Sequence, residues 1–407
     1  MQRRKDHKGR VLKDGESYRS CDGLYMYRWT EDGKRHYLYN KDLDNLREME
    51  KKVIKDEVDG IKADGKYKTV NDMYLIWKET KAGVRNSTKA NYYYSYEHYI
   101  QEDFGSRRIV NVTKSDIKRL YNKLIDKSGL SISTVENINN VLRQVFEVAV
   151  DDNIVRNNVV NGVLGKCKKE RQYERTERTA LTEEEQALFL SFLRDTPKFR
   201  YWYPFFVIGF GTGCRIGELA ALCWKNVDIE NRQITVKQTL SSYNKLEHKA
   251  EKTLGKPKSK KSTRELPLLP EVVDALLEQK KTMTMLGRKC KEPVNGRTDF
   301  VFINKEGNPI NSCTMNSQIK RLVKYCNEYE KTKAEQEGRE PVIIPDFSNH
   351  VMRHSFCTRY VECESRLPFV QAYMGHSDVR TTMSYVSTDT KKLKASLEDS
   401  NLRLIGA

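Results

Sequence analysis

Gly211-Thr-Gly-Cys-Arg215-Ile-Gly-Glu-Leu-Ala-Ala-Leu222 decides how this chain is read. Gly209, Gly211 and Gly213 imitate a dinucleotide fingerprint, but a G-x-G-x-x-G match needs glycine at 214, where Cys214 stands. No phosphate-loop lysine follows. The glycines instead turn the chain into a helix that starts near Arg215, placing an arginine at a helix N-terminus, where backbone N–H groups also favour an anion. Pairing with Glu218, three residues on, is the other reading of that arginine.

Two further stretches lie downstream. In Ser348-Asn-His350-Val-Met-Arg353-His354-Ser-Phe-Cys-Thr358, His350 and Arg353 are three apart and share a helical face. His354 follows one turn after His350, but Val351 occupies the place of the glutamate in a H-E-x-x-H zinc site, so that comparison fails. Met374-Gly-His376-Ser-Asp-Val-Arg-Thr-Thr-Met-Ser-Tyr385-Val-Ser387 sets a tyrosine nine residues beyond a Gly-His pair. Each fragment alone is as readily a core element as a catalytic one.

Composition names the class of partner. The 407 residues carry a formal net charge of +17, which concentrates polyanions near the surface and speeds encounter with nucleic acid. That length exceeds one core and predicts two or three domains. The nine cysteines are scattered without a C-x-x-C pair, which argues for free thiols rather than a disulfide framework or a structural zinc site. The start has no apolar run after its charges, and Tyr201–Gly213 is too short to span a bilayer. A cytoplasmic protein without membrane attachment is expected.

Texture divides the chain into four segments. Residues 1–66 open with a basic arm, then two aromatic-rich runs, Leu24–Thr30 and Arg35–Tyr39, joined around Asp32-Gly33, and a helical stretch from Asp42 to about Asp59. Residues 67–165 read as all helical, with Val70, Met73, Tyr74 and Trp77 on one face, helix starts at Ser87, Thr113 and Ser131, and tyrosines that serve mainly in packing. Residues 166–179 are charge-dense, lack apolar periodicity and read as an exposed linker. Residues 180–407 begin with the capping box Thr182-Glu-Glu-Glu185 and contain a strand pair, Gln233–Leu240 and Arg264–Leu268, separated by a lysine-rich polar loop. This last segment is mixed α+β and holds the three motif stretches.

Taken in order, GTGxRxxEL, a lysine in a hairpin loop, HxxR, GH and a tyrosine resemble the tyrosine recombinase (phage integrase) family. The similarity spans about 180–390, and the helical segment before it resembles that family's core-binding domain. The amino-terminal hairpin and helix look like the arm-binding domain of integrases from conjugative transposons of Gram-positive bacteria. The resemblance implies a multidomain fold: a small α+β arm-binding domain, an all-α core-binding bundle and a mixed α+β catalytic domain with a C-terminal tail. It implies site-specific strand exchange through a 3′-phosphotyrosyl intermediate, integrating and excising a mobile element in a bacterial cytoplasm. Arg215 and Arg353 match the family arginines, suited to forking onto non-bridging phosphate oxygens, each donor contributing about 3–4 kcal/mol. His350 matches the histidine that handles the tyrosine proton, His376 the phosphate-bonding position and Tyr385 the nucleophile. In Pro257-Lys258-Ser-Lys260-Lys261, Lys258 is the choice for protonating the departing 5′-oxygen, with Lys260 second. His354 is expected to be structural, and Ser387 departs from the histidine many relatives carry there.

The implied partners are double-stranded attachment sites, a homo-tetramer on two duplexes and an accessory excision factor. No cofactor or metal is expected, because bond energy is kept in the covalent link. The C-terminal tail, Lys391–Ala407, is expected to pack on its own domain or on a neighbouring subunit. A type IB topoisomerase, a non-cutting DNA-binding regulator and a basic structural protein are the rival readings. The first would relax supercoils without a partner duplex, the second has no need of a full catalytic set, and the third leaves the ordered motifs to chance.

Overall fold

The computed structural model describes residues 4–386, apart from 32, 59, 63–64, 66, 175–178, 245–249, 256–262 and 364–365. The chain divides into two compact units, Met1–Arg175 and Thr176–Ala407. The amino-terminal hairpin region and the helical segment gather in the first, and the three motif stretches in the second.

The first unit starts with a three-stranded antiparallel sheet, β1 (Glu16–Arg19), β2 (Leu24–Glu31) and β3 (Lys34–Asn40), in the order β1-β2-β3. β1 was not legible beforehand. Glu31 pairs with Lys34, which puts the hairpin connection at 32–33; Asp32 itself lies outside the described residues. Strand alternation turns Tyr25, Tyr27 and Leu38 onto α1 (Leu43–Val58), where Leu43 and Leu46 are buried. The opposite face carries Tyr37 and Tyr39, exposed and stacked 6.3 Å apart, with the Arg19 guanidinium over Tyr39.

Five helices follow: α2 (Val70–Thr80), α3 (Asn86–Tyr99), α4 (Lys114–Asn122), α5 (Ile132–Asp151) and α6 (Val163–Glu170). The Thr113 and Ser131 side chains accept the backbone N–H groups of Asp116 and Thr134, as their spacing predicts. Tyr74 and Tyr96 stack at 3.7 Å in the core, whereas Tyr94 stays half exposed against His98. Helix α6 corrects the expected linker at its near end. Lys166–Glu170 is helical because Cys167 is buried in the bundle core and Lys168 pairs with Glu136, while Arg171 forks onto Asp126. Arg175–Arg178, further along that strip, lie outside the described residues.

The second unit runs α7 (Glu183–Asp195), α8 (Tyr203–Thr212), α9 (Ile216–Ala220), β4 (Val227–Asp228), β5 (Gln233–Val236), β6 (Thr239–Asn244), β7 (Ala250–Gly255), β8 (Arg264–Pro267), α10 (Pro270–Met285), α11 (Ser312–Glu337), α12 (Asn349–Cys363), α13 (Leu367–Met374) and α14 (Val379–Met383). Thr182 and Glu185 form the expected capping box on α7. The expected strand Gln233–Leu240 does not run through. Its first part pairs with β8 in the sheet β4-β5-β8, with Val236 opposite Arg264. From Thr239 the chain leaves that sheet, packs Leu240 into the core and pairs with Ala250–Gly255 in a separate two-stranded ribbon. Part of the lysine-rich loop is therefore a β-ribbon.

Helix α8 explains the glycine cluster. It is buried along almost its whole length and packs against α10 and α12. A Cβ on Gly209 would stand 3.0 Å from Met352 Sδ, and one on Gly211 would run into Val272, so both neighbours close on bare backbone. Among the described residues no helix is long and apolar enough to cross a membrane. Phe206 is fully buried, edge-on to Phe189 at 4.9 Å. Phe206→Ala should lower the stability of the second unit by about 3–5 kcal/mol. Urea unfolding followed at Trp202 and Trp224 should show the shift, with the transition reported by Trp29 and Trp77 in place.

Candidate active site

The glycine-rich turn places the first arginine. Gly213 ends α8 in the left-handed region (φ +58°), and Arg215 then takes an extended conformation as the N-cap of α9. Glu218 accepts twice from this residue: Oε2 from the Arg215 backbone N–H at 3.0 Å and Oε1 from its guanidinium at 2.8 Å. The Arg–Glu pair is thus present, and it does not use up the arginine. Its other terminal nitrogen donates to the Gly375 carbonyl at 3.4 Å, yet the Arg215 side chain remains 40% exposed, against 2% for Glu218.

A residue with no role assigned from sequence completes this pairing. Arg264, the first residue of β8, donates to Glu218 Oε2 at 3.1 Å and to the Tyr373 carbonyl at 2.6 Å. Burial alone would raise the Glu218 carboxyl, but Arg264 and then Arg215 hold it below the ordinary carboxylate range. Lys258 and Lys260 lie outside the described residues. The strand that follows them in the chain begins at this buried arginine.

The second family arginine lies deeper. Arg353, on α12, is 2% exposed and donates to the carbonyls of Gly213 (2.9 Å) and Met374 (2.7 Å), at the C-terminal ends of α8 and α13. Orphan carbonyls at helix ends suit a cation. Burial first, then the Arg215 charge, brings the guanidinium down to about 10. His350, one turn earlier on α12, is exposed.

His376 follows the turn after α13 and is buried. Its backbone N–H donates to the Gln371 carbonyl, and the Gln371 side chain returns a bond to the His376 carbonyl, both at 3.1 Å. Its Nδ1 lies 2.9 Å from Thr382 Oγ1. Burial, with the charges of Arg353, Arg215, Arg264 and His350, depresses the imidazole to about 4. Tyr385 is half-buried just past α14, its ring parallel to that of His376 (6.1 Å, 6°) and 4.7 Å from that of His354. Arg215, His350, Arg353, His376 and Tyr385 therefore come together from four parts of the chain, as a cationic pocket beside a phenol. Sequence reasoning passed over Glu218 as a mere pairing alternative, and missed Thr382 and the role of Arg264. No local signal marked the last, since Arg264 opens a short strand, Arg-Glu-Leu-Pro, whose next residue is charged as well.

Two outcomes follow from this geometry. Glu218→Gln leaves two guanidinium groups on a neutral partner and should destabilise the second unit by about 3–5 kcal/mol, read by urea denaturation. His376 should remain neutral to well below its ordinary value of 6.5, with a midpoint near 4 in an NMR titration. Because the unfolded chain takes up this proton first, stability should fall as pH drops from 6.5 towards 4, and a midpoint at or above 6.5 would contradict the burial argument.

Known proteins match the whole length of this architecture. Residues 179–392 match the model described as "Phage integrase family", residues 1–57 "DNA binding domain of tn916 integrase", and residues 69–125 "Phage integrase, N-terminal SAM-like domain". The transposase from transposon Tn916 of Enterococcus faecalis is 27% identical over 403 residues, covering 96% of this chain and 94% of that protein. The transposase from transposon Tn1545 of Streptococcus agalactiae matches at the same 27% identity over 403 residues. Among solved structures, the Tn1549 transposon integrase in complex with a circular intermediate DNA superposes with a TM-score of 0.69 at 27% identity, covering 81% of this chain and 98% of that one. With more than half its length matched to that family model, the chain belongs to the phage integrase family, the tyrosine recombinases, and is a site-specific integrase related to those of Tn916- and Tn1549-type transposons.

Proposed function

We propose that Tyr385 is the nucleophile and that Arg215, Arg353 and His376 bind the scissile phosphate. The observation that carries this reading is the convergence of a half-buried phenol with two guanidinium groups and a neutral imidazole. Tyr385 Oη loses its proton to His350 and attacks phosphorus, and the bond to the 5′-oxygen breaks as that oxygen takes a proton from Lys258, or from Lys260 in its place. The two arginines neutralise the charge that builds on the non-bridging oxygens. A free 5′-hydroxyl from a second duplex then attacks the phosphotyrosyl bond, restoring the backbone and releasing Tyr385.

Exchange of both strands between two duplexes requires four cuts with one tyrosine each, which supports a tetramer of this chain on paired attachment sites. The exposed Arg19, Tyr37 and Tyr39 face of the amino-terminal sheet, together with the match to the Tn916 integrase DNA-binding domain, supports contact with a second, arm-type DNA site. The tetramer would work in a bacterial cytoplasm, where an accessory factor would set the direction of excision.

Incubation with a nicked duplex carrying the element's ends should give a covalent protein–DNA adduct that Tyr385→Phe abolishes. An adduct persisting in that variant would overturn the nucleophile assignment. Arg353→Lys should slow adduct formation about 10²–10³-fold, because a point charge cannot replace the fork. Products joined between two duplexes separate a recombinase from a type IB topoisomerase, and any adduct at all excludes a non-cutting regulator.

A further inference from the structure

His376 is held through one ring nitrogen. Nδ1 lies 2.9 Å from Thr382 Oγ1, and both residues are buried, Thr382 completely. Among the described residues the imidazole is the hydroxyl's one hydrogen-bonding partner. The Thr382 carbonyl, on the same short helix, accepts the Tyr385 backbone N–H at 3.1 Å. A single residue therefore touches both the imidazole and the chain segment that bears the phenol.

Two proton arrangements fit the 2.9 Å contact. If Nδ1–H donates to Oγ1, the hydroxyl proton is buried without an acceptor and Nε2 presents a lone pair. If the hydroxyl donates to Nδ1, no buried donor is left unmade and the ring's own proton sits on Nε2. The difference matters because the ring is neutral near pH 7, held at about 4 by burial and the surrounding arginines. A neutral imidazole has one proton. Placed on Nε2 it can donate to a phosphate oxygen; placed on Nδ1 it leaves a lone pair facing that oxygen.

We propose that Thr382 is a positioning residue that donates to His376 Nδ1 and fixes the Nε2–H tautomer, making the imidazole a hydrogen-bond donor to a non-bridging oxygen of the scissile phosphate. The role at the phosphate rests on the reading of Tyr385 as nucleophile; the tautomer itself does not. The uncharged donor adds a directed contact to a pocket that already holds three guanidinium groups, without adding a further buried positive charge.

The test uses the full chain labelled with 15N-histidine and assigned against His376→Gln. Long-range proton–nitrogen spectra of the DNA-free protein near neutral pH should show Nδ1 of His376 as a pyridine-type nitrogen and Nε2 as a protonated, pyrrole-type one. Thr382→Val, which keeps the shape and removes the hydroxyl, should shift or average the tautomer, and Thr382→Ser should restore it. With a nicked duplex at saturating concentration, Thr382→Val should slow adduct formation about 10²-fold, with DNA affinity held within about twofold, and Thr382→Ser should recover the rate. A pyrrole-type Nδ1 in the unmodified chain would overturn the proposal, as would a valine variant with unchanged tautomer and rate. Should the valine variant fail to fold, the spectrum of the unmodified chain still decides. The spectra need no DNA, so the tautomer is judged independently of the adduct lost in Tyr385→Phe.

Discussion

Mutual repulsion among guanidinium groups is what the catalytic unit has to manage. Arg215, Arg264 and Arg353 stand close enough for Arg353 to feel both of the others, and one buried carboxylate, Glu218, lies between the first two. Three positive charges against one negative leave the pocket short of an anion. Among the described residues Arg353 bonds no carboxylate; it donates to carbonyls at the ends of α8 and α13. The unit folds around this excess of positive charge, which on the proposed reading a phosphodiester would offset, and the same charges add to burial in keeping His376 neutral. On that reading binding and chemistry would be coupled through one electrostatic condition, since the phosphate that relieves the repulsion would also be the group attacked.

The arrangement of supports is as telling as that of the reacting groups. Arg215 is fixed by a carboxylate three residues away, Arg353 by backbone from two distant helices, and His376 by a threonine and a glutamine on either side of it in the chain. Tyr385 follows the short helix α14, its backbone N–H donating to the Thr382 carbonyl and its ring lying against those of His354 and His376. Arg215 likewise caps a helix of five residues, so two of the grouped side chains stand at the ends of single short helices.

How much of this could be read in advance follows the range of the interactions. Thr113, Ser131 and Thr182 marked helix starts because a cap is decided within three residues. The His350–Arg353 spacing and the two-residue hairpin at 32–33 are local in the same sense. The bond between Arg264 and Glu218 joins residues 46 apart, and no period or spacing announces it. The departure of Thr239 from β5 was hidden because one run of β-prone residues serves two different ribbons. Helix α6 was misread because its charged face dominates the composition, while buried Val163, Leu164 and Cys167 tie it to the bundle. The catalytic motifs were legible for a different reason: phosphate chemistry restricts the residue types, so family resemblance could supply the order that physics alone left open.

The bare backbone of α8 has a meaning beyond packing. Arg215 follows that helix in the chain, and Arg353 is the residue after Met352, whose sulfur rests on Gly209. Arg215 and Arg353 are therefore linked through a helix that is bulky along most of its length and bare where Met352 meets it. A methyl group at Gly209 would act as a shim, pressing on Met352 without touching either arginine. A hydrogen atom in place of a side chain at Gly209 thus governs how closely the segment bearing Arg353 approaches the helix that leads to Arg215.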